Sequence, residues 1–294
     1  EKSGEMLHRV STVFGNLLSA ETNDDMQELA KSIMPLLSEH GNNITLNEKL
    51  FARIKAVYDQ KDQANLTPEQ NKLLEKVYNS FVRSGANLEG EAKEQYRALS
   101  KELSLLTLQF GENNLKETND YKLVLTDPAQ LAGLPQSAID AAAETAKEKG
   151  VEGWVFTLQA PSYSPFMTYA SNRDLRCKLY MAYNTKCTHD NETNNLEIVK
   201  KLVNTRLAIA QLLGYSSFAE YNLQERMAEN SGNVYKLLDQ LLDAYTPTAK
   251  QEYAEVEALA RQLEGSDFTV MPWDWSYYSH KLKDRKFNID DELL

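Results

Sequence analysis

Cysteine is nearly absent from this chain of 294 residues: Cys177 and Cys187 are the two it has. Two thiols are too few for a disulfide framework, so both read as reduced structural side chains. Glycine and proline are also scarce, at 12 and 8, which favours long helices over many strands and turns. No run of about 18 apolar residues occurs, so no transmembrane helix is implied. Residue 1 is Glu and opens directly into a helical pattern with no visible signal peptide. The compartment is left between cytoplasm and periplasm, with the cytoplasm preferred.

Several chemistries lack their residues. The histidines are His8, His40, His189 and His280, and none stands four residues from another. The zincin pattern His-Glu-x-x-His is therefore missing. Cys187-Thr188-His189-Asp190 gathers possible ligands, but adjacent positions do not close a tetrahedral site. There is no Gly-x-Ser-x-Gly elbow, no Gly-x-x-x-x-Gly-Lys-Ser/Thr loop and no Gly-x-Gly-x-x-Gly turn. Positive charge is in deficit too. Lys plus Arg total 32 against 43 acidic residues, a net charge of −11 that repels nucleic-acid backbones. The short basic run Lys281 to Lys286 contains Asp284 and does not reverse this. Carboxylate pairs such as Asp24-Asp25 and Asp290-Asp291 read as solvated or as favouring helix starts. His40, before Gly41, reads as favouring a helix C-terminus.

What is present is mainly helix. Val10, Val13, Phe14, Leu17 and Leu18 recur at helical spacing, as do Leu29, Ile33, Leu36 and Leu37. Leu50, Ile54, Val57 and Tyr58 mark a third helix. Thr67-Pro-Glu-Gln70 is a start signal: a capping threonine, a proline at the first position and a glutamine that closes the box. Its helix ends at Ser84-Gly85, and another runs from about Glu91 to Lys116. Then the period changes. Segments at about 121–125 and 154–159 read as two strands pairing around an alanine-rich helix, Ser137 to Lys149. Their connection is too long for a tight hairpin. After Pro165 the helical pattern returns: Phe166 to Ala170, Arg173 to Tyr183, Asn195 to Leu213, Ser217 to Met227 and Val234 to Leu263. The expected fold is mainly α with a small two-stranded β insert. It divides into a helical region 1–120, an α/β insert 121–165 and a helical region 166–294. The polar loop His189 to Asn195 is the candidate flexible link.

The densest signal is Met271-Pro-Trp-Asp-Trp-Ser-Tyr-Tyr278, with four aromatics between Trp273 and Tyr278. Two readings stand. The rings anchor the core where a helix starts after Pro272, or Trp273, Trp275, Tyr277 and Tyr278 line the wall of a peptide channel.

This segment, with Lys281-Leu282 and Phe287-x-Ile289-Asp-Asp-Glu-Leu293, resembles the signature ahead of the catalytic domain in the thimet oligopeptidase and oligopeptidase A family of zinc metallopeptidases. Trp275 after Pro272-Trp-Asp brings it nearer the bacterial peptidyl-dipeptidase branch. Other blocks agree in order along the chain: Phe81-Val-Arg-Ser-Gly85, Lys149-Gly150 with Gly153-Trp154, Pro165-x-Met167-x-Tyr169, Asn172-Arg173-x-Leu175-Arg176, Arg206-x-x-x-Ala210 through Tyr215, and Arg226-Met-Ala228.

The resemblance implies a mostly helical protein whose two lobes enclose a channel for short unstructured peptides. It implies zinc held by a His-Glu-x-x-His helix and a downstream glutamate, the motif glutamate activating the metal-bound water. It implies release of C-terminal dipeptides. None of those motif residues occurs here, so no catalytic or metal residue is assigned within the chain. The expectation is an N-terminal fragment that forms one channel wall, docks against a missing C-terminal catalytic domain, binds no zinc itself and is inactive alone. It has no nucleic-acid partner and no membrane insertion. The alternative is a self-standing helical module that binds peptide or protein without catalysis.

Overall fold

A computed structural model describes residues 4–288. Helix dominates it. The helices in chain order are α1 (Glu5–Ala20), α2 (Asp24–Thr45), α3 (Glu48–Asp59), α4 (Pro68–Arg83), α5 (Gly90–Asp120), α6 (Gln136–Glu148), α7 (Ala160–Tyr169), α8 (Arg173–Asn184), α9 (Leu196–Leu212), α10 (Phe218–Leu223), α11 (Ser231–Glu264) and α12 (Trp275–Phe287). Two strands, β1 (Leu123–Leu125) and β2 (Trp154–Phe156), flank α6 in sequence. The fold is mainly α with a small antiparallel sheet, as the periodicity implies.

Local signals explain many boundaries. At α4 the Thr67 hydroxyl accepts from the Gln70 amide at 3.3 Å and the Gln70 side chain accepts from the Thr67 amide at 3.0 Å, a complete capping box. Asn23, Asn47, Asn172 and Ser217 cap α2, α3, α8 and α10 through their side chains.

The strands are shorter than the segments 121–125 and 154–159. They pair in the register Leu123 with Phe156, Val124 with Val155 and Leu125 with Trp154. The ladder stops where backbone amides find other acceptors. The Thr157 amide donates to the Ser162 hydroxyl at 2.9 Å, and beyond β1 the Asp127 carboxylate takes the Ala129 amide at 2.9 Å.

Three expectations fail for identifiable reasons. His40 is not near a helix end, because α2 runs through Pro35 and Gly41 to Thr45; a proline or glycine is tolerated where tertiary packing outweighs propensity. Helix α7 starts at Ala160, not at Phe166. Pro161 lies in its first turn, where the missing N–H costs nothing. Helix α10 ends at Leu223, and turns carry the chain past Met227. The final block of the resemblance, from Ile289 to Leu293, lies outside the described residues.

The chain forms two compact units. The first comprises residues up to Glu112 together with Leu196–Ser231. Its buried residues include Leu46, Tyr96 and Ile209 in one cluster and Leu106, Ile198 and Leu202 in another. Tyr58 and Tyr78 stack in parallel with ring centres 3.9 Å apart.

The second unit comprises Asn113–Asn195 and the residues from Gly232 onward. Its main core gathers Leu123 and Leu125 of β1, Phe156 of β2, Phe166 and Met167 of α7, and Leu179 of α8. Phe156 and Phe166 meet edge to face at 4.6 Å. A second cluster, Val256, Ala260, Val270, Tyr277 and Tyr278, joins α11 to α12.

Gly153 is needed where β2 begins. Its φ is +97°, and a Cβ there would stand 2.1 Å from the Leu125 carbonyl oxygen. Positive φ and this close approach both exclude a side chain. Gly153→Ala is expected to cost about 2–4 kcal/mol of stability in urea denaturation. A loss below about 0.5 kcal/mol, within ordinary surface variation, would contradict the close packing of this turn.

Candidate functional site

The resemblance-bearing segment is built around a buried carboxylate. Pro272–Asp274 forms a single 3-10 turn that feeds directly into α12. Asp274, at its end, is 0% exposed. Its carboxylate accepts the Met271 amide at 3.0 Å.

The positive partners come from the start of α8. Asn172 accepts the Leu175 amide at 3.1 Å, which fixes Arg173 as the first helical residue. Arg176 follows three residues later, on the same helical face. Arg173 donates to Asp274 from Nη2 at 2.7 Å and from Nε at 3.0 and 3.1 Å. Arg176 donates from Nη2 at 2.9 Å.

Arg176 is 1% exposed, so its other donors also need acceptors. They find the carbonyls of Ala170 at 2.7 Å, Ser171 at 3.3 Å and Trp273 at 3.2 Å. Its guanidinium also lies 4.1 Å from the Tyr277 ring centre. Arg173 lies 4.4 Å over the Phe268 ring and donates to the Thr269 carbonyl at 2.9 Å. Two cations thus share one anion, and backbone carbonyls and ring faces take up the excess positive character.

Burial opposes ionisation of Asp274. The hydrogen bonds from Arg173, the Met271 amide and Arg176 outweigh it and hold the carboxyl below the usual carboxylate range.

The four aromatic candidates separate by exposure. Tyr277 and Tyr278 are 8% and 2% exposed and belong to the α11–α12 core. Tyr278 packs edge to face against Phe268 at 5.5 Å and against Tyr277 at 5.0 Å. Burial, and then a hydrogen bond with Glu264, push its hydroxyl far above the usual phenol value. Trp273 is half-buried against the main core, with Tyr180 at 6.2 Å. Trp275 is 39% exposed and lies parallel to Tyr253 at 5.9 Å, which holds its ring flat.

A second polar cluster surrounds Glu117 near the end of α5. Its carboxylate accepts the Cys187 amide at 2.9 Å and the Thr193 hydroxyl at 2.7 Å. His189 Nε2 stands 3.8 Å away. The Asn195 amide donates to the Cys187 carbonyl at 2.8 Å, and Asn113 donates to the Asn195 side chain at 2.8 Å. The loop His189 to Asn195, the candidate flexible link, is therefore tied down along its length. Cys187 is buried at a positive φ of 58°. Burial first, and the Glu117 charge second, push its thiol up to about 11, so it stays protonated at neutral pH.

Among the described residues no three His, Cys, Asp or Glu side chains come together to hold a metal ion. The Cys187–Asp190 run belongs to no such group among the described residues. Among the described residues no ligand set fits the zinc that the resemblance implies. Among the described residues no helix is long and apolar enough to cross a membrane.

Sequence reasoning singled out Asp274 and both arginines as parts of separate blocks and missed that they bind one another. They stand 98 and 101 residues apart, beyond any local spacing rule.

Residues 166–294 match the model of peptidase family M3, a span that contains Arg173, Arg176 and Asp274. The whole chain is 32% identical, over 295 residues, to dipeptidyl carboxypeptidase of Escherichia coli (strain K12). Over 294 residues, 99% of the chain, it is 33% identical to oligopeptidase A of the same organism. It is 27% identical to saccharolysin of Saccharomyces cerevisiae over 88% of the chain. The chain spans 43% of the length of each of the two bacterial relatives and 36% of saccharolysin.

Asp274→Asn keeps the shape and removes the anion between two cations. It is expected to cost about 3–5 kcal/mol at neutral pH, because breaking a buried pair strands its partners. Asp274 has a depressed folded pKa, so its contribution is complete above the unfolded value of about 3.9 and is lost as pH falls through the folded value. The stability gap between the two proteins should therefore narrow below about pH 4. Denaturation at pH 7 and pH 3 checks this; an equal gap at both would contradict the assignment.

Proposed function

We infer that the chain belongs to peptidase family M3, the thimet oligopeptidase and oligopeptidase A family, and on that basis propose that it is the N-terminal, channel-lining part of a zinc metallopeptidase. Its substrates are short unstructured peptides, and its reaction is release of dipeptides from their free C-termini. The observation that carries the reading is similarity along the entire chain to dipeptidyl carboxypeptidase and oligopeptidase A. The identities, 32% and 33%, do not separate the two activities. The dipeptide reading leans on Trp275 after Pro272-Trp273-Asp274.

Members of the family are zinc metallopeptidases. The 294 residues contain no His-Glu-x-x-His, so the metal-binding residues of such an enzyme belong to sequence outside these residues. What this chain contributes is shape. Trp275 offers an exposed, flat ring backed by Tyr253, suited to contact with varied peptide side chains. Tyr277 and Tyr278 support that surface from the core, and Trp273 joins it to the main core. The Arg173–Asp274–Arg176 cluster fixes the turn that carries Trp273 and leads into α12, which carries the other three.

The 294-residue chain, given zinc and an N-terminally acetylated peptide, is expected to release nothing. The full-length polypeptide of the same gene is expected to release C-terminal dipeptides. Chromatography of the products distinguishes the outcomes. Steady dipeptide release by the chain alone would contradict its assignment as non-catalytic, and internal cleavage by the full-length protein would contradict the dipeptide reading.

In the full-length enzyme, Trp275→Ala should raise KM several-fold, equivalent to about 1 kcal/mol, with kcat nearly unchanged. Unchanged peptide kinetics would remove Trp275 from the channel wall.

A further inference from the structure

The α/β insert encloses a cavity that the proposed peptidase reaction does not use. It lies between α6, the end of α5 and the turn from β2 into α7, and its volume is about 420 Å³. That falls within the range of small-molecule sites, roughly 300–1,000 Å³. The α6 wall is Ala138, Ala141 and Ala142, which leaves room where larger side chains would fill the space. Phe156 supplies a further apolar surface.

The polar groups form a specific pattern. Gln159 donates from Nε2 to Asn119 Oδ1 at 3.2 Å. That bond leaves Asn119 Nδ2 as a donor and Gln159 Oε1 as an acceptor, neither with a hydrogen bond among the described residues. A donor beside an acceptor is the complement of the C=O and N–H of a peptide group. Ser162 Oγ accepts the Thr157 amide at 2.9 Å and keeps its own hydrogen to donate. The hydroxyls of Thr118 and Thr145, by contrast, donate to the carbonyls of Asn114 and Ala141 at 2.7 and 2.9 Å. Around the end of α6 the cavity is lined by one carboxylate, Glu148, and one ammonium, Lys149. Neither has an ion pair among the described residues. A single lysine in the lining leaves a phosphate-rich ligand uncompensated.

We propose that this cavity binds a short peptide with free termini, a dipeptide or tripeptide. The peptide backbone pairs with Asn119 and Gln159, and the charged ends pair with Lys149 and Glu148. The small walls formed by the three alanines suit small side chains. This rests on the cavity alone and does not depend on the peptidase reading, because every group belongs to this chain.

Titration calorimetry on the 294-residue chain with Ala-Ala tests it. One-site binding in the millimolar range or tighter is expected. N-acetyl-Ala-Ala-amide, which lacks both charged ends, should bind about tenfold more weakly or worse, as should Ala-Ala to Lys149→Ala. Ala141→Leu fills space from an exposed helix position and should abolish binding while circular dichroism stays unchanged. Asn119→Ala, at another exposed position, serves if that variant misfolds. No saturable binding of Ala-Ala, or equal binding to the filled and native cavities, would overturn the proposal. Neither result would bear on dipeptide release by the full-length enzyme.

Discussion

The second unit depends on one carboxylate. Asp274 is fully buried, and a buried anion is tolerated only if every lone pair is answered. Here the answers come from two arginines and a backbone amide. The arginines lie on the first turn of α8, whose phase is set by the Asn172 cap. The carboxylate lies at the entry to α12. One charge cluster therefore decides where two helices begin relative to each other. The same cluster keeps Arg176 buried, because its remaining donors reach the carbonyls of Ala170, Ser171 and Trp273. Replacing Asp274 strands Arg176, and replacing Arg176 leaves Asp274 short of a partner, in a place water does not reach; Arg173 is part-exposed.

That constraint changes the meaning of the aromatic segment. Four rings within six residues look like a binding surface. Two of them, Tyr277 and Tyr278, are instead core residues joining α12 to α11, and Tyr277 also lies against the Arg176 guanidinium. Trp273 bridges toward the main core through Tyr180. Trp275 alone of the four is more than a third exposed. A segment that marks a peptidase family therefore has two tasks. It locks a turn in place, and it presents one flat, exposed ring, Trp275, stacked on Tyr253.

Much of the architecture was legible because its causes are local. The Thr67 capping box, the helical stripes and the switch to strand periodicity near Tyr121 each depend on neighbours within a few residues. Ordered blocks along the chain made the family legible as well. What could not be read depends on distance. The pairing of Asp274 with Arg173 and Arg176 spans about a hundred residues. The loop His189 to Asn195 looks like a polar linker, yet Glu117 and Asn113 of α5 hold it. The start of α7 was hidden because Pro161 and Pro165 resemble breakers, although a first-turn proline is compatible with helix. Gly41 likewise suggested a helix end near His40, yet α2 continues to Thr45.

A double-mutant cycle on Arg176→Met and Asp274→Leu, followed by urea denaturation, tests the central claim most directly. If the buried pair is the constraint described, each single substitution costs about 3–5 kcal/mol, and together they cost at least about 2 kcal/mol less than their sum. Additivity within about 0.5 kcal/mol would mean that the two side chains do not answer one another, and the account of this unit would fail.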